Sequence, residues 1–112
     1  MNAITGQDVD GNRSWESVIS NADVTGQRFL FIPMKIQNFL QAQQTNISIS
    51  LENTNIVVNC NIHTCSRSAK EKYISHQWTA FLNQANINVG SRIKLTVLDP
   101  PDCFKQNNDS DL

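Results

Sequence analysis

Apolar residues recur at every second position over several short stretches of this chain, a spacing typical of strands with one buried face. The clearest pair covers residues 46–51 and 56–62, and the turn residues 52–55 between them predict an antiparallel hairpin. Three further strands are predicted from alternating or dense apolar runs, over residues 15–19, 28–32 and 93–97. Gly90 permits the turn before the last of these strands.

Two stretches have helical spacing instead. Ser75 is a suitable N-cap, and the apolar residues after it lie at positions i, i+3, i+4 and i+7, namely Trp78, Phe81, Leu82 and Ala85. This spacing predicts that Trp78 and Phe81 pack in the core rather than stack on the bases of a single-stranded nucleic acid. Pro33 fits the first position of a second, shorter helix, where its missing N–H costs nothing.

The stretches between these elements are polar. Residues 21–27 have turn composition around Gly26, and residues 63–72 are predicted to form a polar connection that carries most of the local positive charge. Short strands outnumber the helices, which predicts an α+β domain, mainly β, with a small barrel-like sheet.

The two ends of the chain lack apolar periodicity. Residues 1–12 are polar and contain two glycines, which predicts a flexible N-terminal arm. Residues 99–112 are acidic and contain adjacent prolines, which predicts an acidic flexible tail. The ordered domain is therefore predicted over residues 13–98, and a chain of 112 residues leaves little room for a second domain.

Composition narrows the class of protein further. Hydrophobic residues make up 39% of the chain. No stretch approaches the ~20 apolar residues that a membrane-spanning helix needs. The N-terminal residues have neither a basic nor an apolar region, so no signal peptide is expected. Three cysteines form an odd and sparse set, which favours reduced thiols over a disulfide framework.

The net charge depends on which part of the chain is counted. Nine Lys and Arg against ten Asp and Glu give −1 overall, which argues against a protein that is basic all over. Six of the ten acidic residues lie in the predicted ends, so residues 13–98 hold eight basic and four acidic side chains, a net charge of +4. The predicted domain is therefore mildly basic.

Cysteine and histidine residues near position 60 are spaced like metal ligands. Cys60, His63 and Cys65 are candidates, with His76 as a fourth ligand. Strand alternation places Cys60 on the opposite face from the other two, which favours a buried thiol and a surface histidine over a metal centre. The chain also lacks phosphate-loop, nucleophile-elbow and zinc-protease motifs, so we expect neither catalysis nor a cofactor.

An ordered set of residues resembles the plant B3 DNA-binding domain family. The set consists of a strand that ends in Ile32 and Pro33, a helix that begins with Trp78 and contains Phe81, and a turn with Asn86, Ile87 and Gly90. The resemblance covers residues 14–98. It implies a seven-stranded open pseudobarrel flanked by two short helices, and two arms that grip the DNA major groove, here residues 23–28 and 66–72.

The first arm has side chains that suit contacts to DNA. Gln27 can pair with adenine, Thr25 can contact a thymine methyl group, and Arg28 can anchor a phosphate. Gly26 has no side chain and lets the backbone approach the duplex.

The second arm concentrates positive charge. Arg67 has the guanidinium fork that matches O6 and N7 of guanine, whereas Lys70 and Lys72 suit phosphates. Ser66 and Ser68 add hydroxyl donors to phosphate. The alternative for such a cluster is a solvated loop, and the resemblance favours DNA contact over it.

The resemblance implies a plant transcription regulator in the nucleus that binds double-stranded DNA sequence-specifically in the major groove. We expect a monomer with no membrane attachment and no small-molecule substrate, and the sequence leaves protein partners open. An alternative is a protein-interaction module that keeps the B3-like fold with weak or lost DNA binding, which the near-neutral total charge favours.

Overall fold

The computed structural model describes the backbone of residues 13–108, and all side chains in that range except those of residues 68–70 and 108. Over this range the chain forms eight strands and three short helices. The strands are β1 Ser14–Val18, β2 Leu30–Phe31, β3 Asn46–Leu51, β4 Val57–Asn61, β5 His63–Cys65, β6 Ser68–Ile74, β7 Arg92–Val97 and β8 Cys103–Asn108. The helices are α1 Asn21–Thr25, α2 Met34–Gln37 and α3 His76–Gln84.

The predicted fold class, α+β and mainly β, is confirmed, and the sheets stay open rather than closing into a barrel. The described part of the chain has one strand and one helix more than the seven strands and two helices that the resemblance implied. Within the same part, no helix is long and apolar enough to cross a membrane.

The larger sheet has five strands in the order β1-β7-β8-β3-β4. Its neighbouring strands are antiparallel except β3 and β8, which run parallel. Because β8 lies in the middle of this sheet, the prediction of a flexible tail over residues 99–112 is wrong for residues 103–108. Phe104 is fully buried, and its ring meets the Trp15 ring edge-on, with centroids 5.2 Å apart. The domain therefore extends to at least residue 108.

The predicted N-terminal arm, residues 1–12, lies outside the described residues, as do residues 109–112 of the predicted tail.

The smaller sheet has three strands in the order β2-β6-β5. The prediction that residues 63–72 form a polar connection is wrong, because β5 and β6 form an antiparallel hairpin there. His63 lies opposite Tyr73 and Thr64 opposite Lys72, and the register then shifts at Cys65. A strand pair that extends beyond the core needs no apolar alternation, which is why the sequence pattern did not predict it.

The hairpin predicted over residues 46–62 is confirmed as β3 and β4. Ile47 lies opposite Cys60, and Ile49 lies opposite Val58. Ile47, Ile49 and Cys60 are buried, so the alternating side chains of this hairpin face the core as the sequence predicted.

The predicted helix after Ser75 is confirmed as α3. Trp78, Phe81 and Leu82 are buried on one face of it, so no nucleobase can stack on the two aromatic rings. Ser75 occupies the N-cap position, but its side chain makes no capping hydrogen bond and lies 3.5 Å from Nε2 of His63.

The two other helices are very short. The predicted turn over residues 21–27 instead contains α1, Asn21–Thr25, because Ser20 and Asp23 complete a capping box at its start. Gly26 ends α1 with a left-handed backbone, at φ 87°. The short helix predicted after Ile32 is confirmed as α2, with Pro33 one position earlier than expected, at the N-cap.

The core draws its buried residues from both sheets and from α3. Leu30 and Ile74 come from the smaller sheet, Ile49 and Leu95 from the larger one, and Phe81 from α3. Because side chains alternate along a strand, the residues next to Leu30 and Ile74 face away from this core.

Candidate nucleic-acid interface

Both predicted arms are attached to the three-stranded sheet. The first arm leads directly into β2, and the second arm contains the β5–β6 turn and most of β6. β2 pairs antiparallel with β6, with Leu30 opposite Ile74 and Phe31 opposite Tyr73. The chain that leaves the first arm therefore runs along β2 toward the tip of the second arm.

This register sets the spacing between the arms. At about 3.3 Å per residue, β6 extends roughly 20 Å from Ile74, beside the start of β2, to Ser68, near the β5–β6 turn. The major groove of B-DNA is about 12 Å wide. The first arm and the tip of the second arm lie at opposite ends of this roughly 20 Å length, which exceeds one groove width and suits contacts to the groove and to the phosphates beside it.

Asp23 fixes the first arm to α3. Its buried carboxylate accepts hydrogen bonds from Ser20 N at 2.8 Å, from Ser20 Oγ at 2.9 Å and from Trp78 Nε1 at 3.2 Å. Thr79 Oγ1 donates to the Asp23 carbonyl oxygen at 3.1 Å. Because Trp78 is itself part of the core, these bonds give the arm a rigid base.

Arg28 is oriented by the same carboxylate but stays available to a ligand. Its Nη1 lies 3.6 Å from Asp23 Oδ2, and its side chain is 54% exposed. A guanidinium has five N–H donors, so one ion pair leaves most of them free to contact a phosphate. At this exposure the pair itself adds little to stability.

The three residues before Arg28 are the last residue of α1, its C-cap Gly26, and Gln27 after it. Thr25 and Gln27 are exposed, and Thr25 Oγ1 donates to the Asn21 carbonyl oxygen at 3.0 Å. A Cβ at Gly26 would meet Thr79 Oγ1 only at 3.7 Å, an ordinary contact. Its positive φ of 87° favours glycine at this position. The contacts of these residues to DNA stay predictions.

The second arm has its tip at the β5–β6 turn. Ser66 and Arg67 are exposed there. Lys72 Nζ donates to Thr64 Oγ1 across the hairpin at 3.0 Å, which leaves two of its three N–H donors for another partner. Ser68 and Lys70 lie on β6. The roles of all five residues in DNA binding stay predictions.

Four aromatic side chains that the sequence does not predict as part of the site lie on the sheet between the arms. The Tyr73 ring stacks on Phe29, with centroids 5.4 Å apart, and on His63, at 5.2 Å. Phe31 packs against the same ring at 5.6 Å, tilted by 43°. We call these four residues the ring cluster. A signal was present, because Phe29 and Phe31 alternate with the apolar residues Leu30 and Ile32.

The candidate metal ligands have other partners. Burial, with a smaller contribution from Cys103, raises the pKa of the Cys60 thiol to about 12, so the thiolate that binds metals is disfavoured. His63 stacks on Tyr73, whereas His76 meets Phe29 edge-on at 5.7 Å. Among the described residues, no group of three or more His, Cys, Asp or Glu side chains is placed to hold a metal ion.

Comparison with known proteins gives no match at the level of sequence. No family model matches this chain, and no curated protein matches it.

The fold is similar to two solved structures from Arabidopsis. One is the hypothetical Arabidopsis thaliana protein At1g16640.1, with a TM-score of 0.63, 10% identity, and coverage of 85% of this chain and 87% of that one. The other is a complex of Arabidopsis FUS3 with DNA, with a TM-score of 0.59, 13% identity, and coverage of 84% of this chain and 93% of that one. Both likenesses confirm the predicted B3-like fold.

Proposed function

We propose that this chain binds double-stranded DNA in the major groove through its two arms, and that it does so sequence-specifically as a plant transcription regulator in the nucleus. The main support is that one open three-stranded sheet places the polar first arm beside the start of β2 and the cationic tip of the second arm at the far end of β6. The similar fold of FUS3, which was solved as a complex with DNA, supports the same role.

Each arm residue has a role that its side-chain chemistry permits. Arg67, exposed at the β5–β6 turn, contacts guanine, and Gln27, exposed after α1, contacts adenine. Phosphates are bound by the remaining cations, Arg28, Lys70 and Lys72. Thr25 contacts a thymine methyl group, and Gly26 lets the backbone approach the duplex closely. Ser66 and Ser68 donate their hydroxyl hydrogens to phosphates.

The salt dependence of binding tests this proposal. Labelled duplex DNA of random sequence is titrated with the protein at increasing salt, and fluorescence anisotropy reports the dissociation constant. The three arm cations proposed to bind phosphates predict a log–log slope of about −2.7, at roughly −0.9 per neutralised phosphate. A folded protein that binds no duplex at low salt would refute the proposal and favour the protein-interaction module.

A charge-reversed variant localises the binding. Arg67, Lys70 and Lys72 are changed together to Glu, and a matched control changes Arg92, Lys94 and Lys105 on the larger sheet to Glu. Both variants lose the same charge, so only the position differs. We expect the arm variant to lose duplex binding while its melting temperature stays almost unchanged. The control variant should keep most of its duplex binding. Equal losses in both would show that total charge, and not the arms, determines binding.

Size and ligand type give a second way to distinguish a DNA-binding protein from the alternative, a protein-interaction module. We expect the free protein to be monomeric by size exclusion with light scattering, and its ligand to be DNA. A protein-interaction module would instead capture a protein partner in a manner insensitive to salt.

A further inference from the structure

The β5–β6 hairpin has two faces of different chemistry. Side chains alternate along β6, so Lys72 lies on the same face as the core residue Ile74, and Tyr73 lies on the other face. β5 pairs with β6 so that Thr64 lies opposite Lys72. His63 lies opposite Tyr73. The ring cluster therefore covers one face of the hairpin, and Thr64 and Lys72 share the other, which we call the core-side face.

Arg28 of the first arm also lies on the core side of the sheet. Its guanidinium is 3.6 Å from the carboxylate of Asp23, and this carboxylate accepts a hydrogen bond from the core residue Trp78. Phe29, the next residue along the chain, belongs instead to the ring cluster. A duplex that contacts both Arg28 and Lys72 therefore lies against the core-side face of the hairpin and away from the ring cluster.

Thr64 and Lys72 form a pair of donors on the core-side face. Lys72 Nζ donates to Thr64 Oγ1 at 3.0 Å. This bond uses one of the three N–H donors of the ammonium and one acceptor lone pair of the hydroxyl, so two N–H groups and the Thr64 O–H remain for a ligand. Thr64 is exposed and Lys72 is half-buried. Two adjacent donors, one of them cationic, suit the oxygens of a single phosphate.

The same bond restricts the Lys72 side chain before any ligand arrives. A free lysine loses rotamer freedom when it binds a phosphate, and a side chain that is already held loses less. Thr64 lies outside the second arm, residues 66–72, and reaches Lys72 only because the two strands pair in this register.

We propose that Thr64 and Lys72 together bind one backbone phosphate of the duplex. Thr64 holds the ammonium in position and donates its own O–H to the same phosphate. The inference rests on the proposed function, because it requires a duplex held by both arms. It adds Thr64 to the site as a positioning residue, and it assigns the duplex to the core-side face of the hairpin.

Replacing Thr64 by valine tests the inference, because valine keeps the β-branched shape and removes the hydroxyl. Anisotropy titrations with duplex DNA of random sequence give the dissociation constants, and thermal melts show that each variant is folded. One hydrogen bond corresponds to a factor of about two to ten in an equilibrium constant, so Thr64→Val should weaken duplex binding by about that factor. Thr64→Ser, which keeps the hydroxyl, should bind the duplex like the wild type.

A second substitution shows whether the two residues act together. Lys72→Met removes the ammonium and should reduce the steepness of the log–log salt dependence by about 0.9. In the Lys72→Met background, Thr64→Val should weaken binding by a smaller factor than in the wild type, because no ammonium is left to hold. Tyr73→Phe is the matched control. It removes one hydroxyl from the neighbouring residue on the other face, and should leave the affinity for the duplex unchanged.

Several results would overturn the inference. They are wild-type affinity in Thr64→Val, a loss in Thr64→Ser as large as in Thr64→Val, an equal loss in Tyr73→Phe, and the same effect of Thr64→Val with and without the Lys72 ammonium. Wild-type protein that binds no duplex at low salt would instead show that the proposed function itself is wrong, so the two failures are distinguishable.

Discussion

Replacing Asp23 by alanine should destabilise the protein through two identifiable losses. Asp23 is 3% exposed and belongs to a capping box, so its removal leaves the Ser20 N–H at the start of α1 without a partner. Loss of such a cap costs about 1 kcal/mol. The Trp78 Nε1–H, 3.2 Å from Asp23 Oδ1, would also be left buried and unpaired, at about 1–3 kcal/mol. The expected loss in the free energy of unfolding is therefore about 2–4 kcal/mol.

Urea denaturation followed by circular dichroism measures this loss, because the far-ultraviolet signal does not depend on Trp78 as a fluorophore. Asp23→Asn is the matched variant, since its amide oxygen can still accept from Trp78 Nε1. It should cost only the cap, about 1 kcal/mol. In a Trp78→Phe background there is no indole N–H that could lose its hydrogen-bond partner. The loss in unfolding free energy caused by Asp23→Ala should therefore be smaller there by about 1 kcal/mol or more.

A small effect would refute this reasoning. A loss below about 0.5 kcal/mol for Asp23→Ala is typical of surface substitutions, and would show that the carboxylate does not anchor the first arm. An equal cost of Asp23→Ala with and without the Trp78 indole would show that the Asp23–Trp78 hydrogen bond contributes nothing.

Further predictions concern the C-terminal strand, Gly26 and Cys60. Because β8 lies in the middle of the larger sheet, truncation after residue 98 should abolish cooperative thermal unfolding. Phe104→Ala should lower the free energy of unfolding by about 3–5 kcal/mol. Unchanged thermal unfolding of the truncated chain would contradict this. Gly26→Ala should cost about 1–2 kcal/mol in urea denaturation because of its positive φ, and an effect near zero would refute that cause. Cys60 should react with iodoacetamide far more slowly than Cys65 at mildly alkaline pH, as mass spectrometry can show, and equal rates would contradict the burial of its thiol. Because the folded-state pKa of Cys60 is raised, its contribution to stability is complete below pH 9.0 and is lost as the pH rises toward about 12.

The parts of the fold that the sequence predicted are those with a periodic apolar pattern. Ile47 and Ile49 alternate in β3, and Trp78, Phe81 and Leu82 follow helical spacing in α3, so burial on one face dictated both elements. Gly26 and Gly90 were recognised as turn positions, and both have positive φ.

The parts that were not predicted have no such pattern. β8 pairs with a strand on each side, and its buried side chains are Phe104 and Gln106. Its polar sequence CFKQNN therefore lacks the apolar alternation that predicts a strand. The β5–β6 hairpin is stabilised by backbone pairing and cross-strand contacts such as Lys72 with Thr64, which depend on register and not on composition.

The candidate site divides in the same way. The cationic and polar arm residues were visible in the sequence, because charge and side-chain chemistry are local properties. Their attachment to one sheet, and the ring cluster between them, depend on the pairing of β2 with β6, which brings residues more than forty positions apart together. Asp23 was visible as part of the first arm, but its bond to Trp78 required the tertiary structure.

The most direct test of the account is a titration of isotope-labelled protein with duplex DNA, followed by amide chemical-shift changes in heteronuclear NMR. If the two arms bind the duplex, the largest changes should fall on residues 25–28 and 66–72 and on β2 between them, and should diminish as salt is added. Changes centred on the larger sheet, or a spectrum that stays unchanged at a DNA concentration well above that of the protein at low salt, would contradict the account.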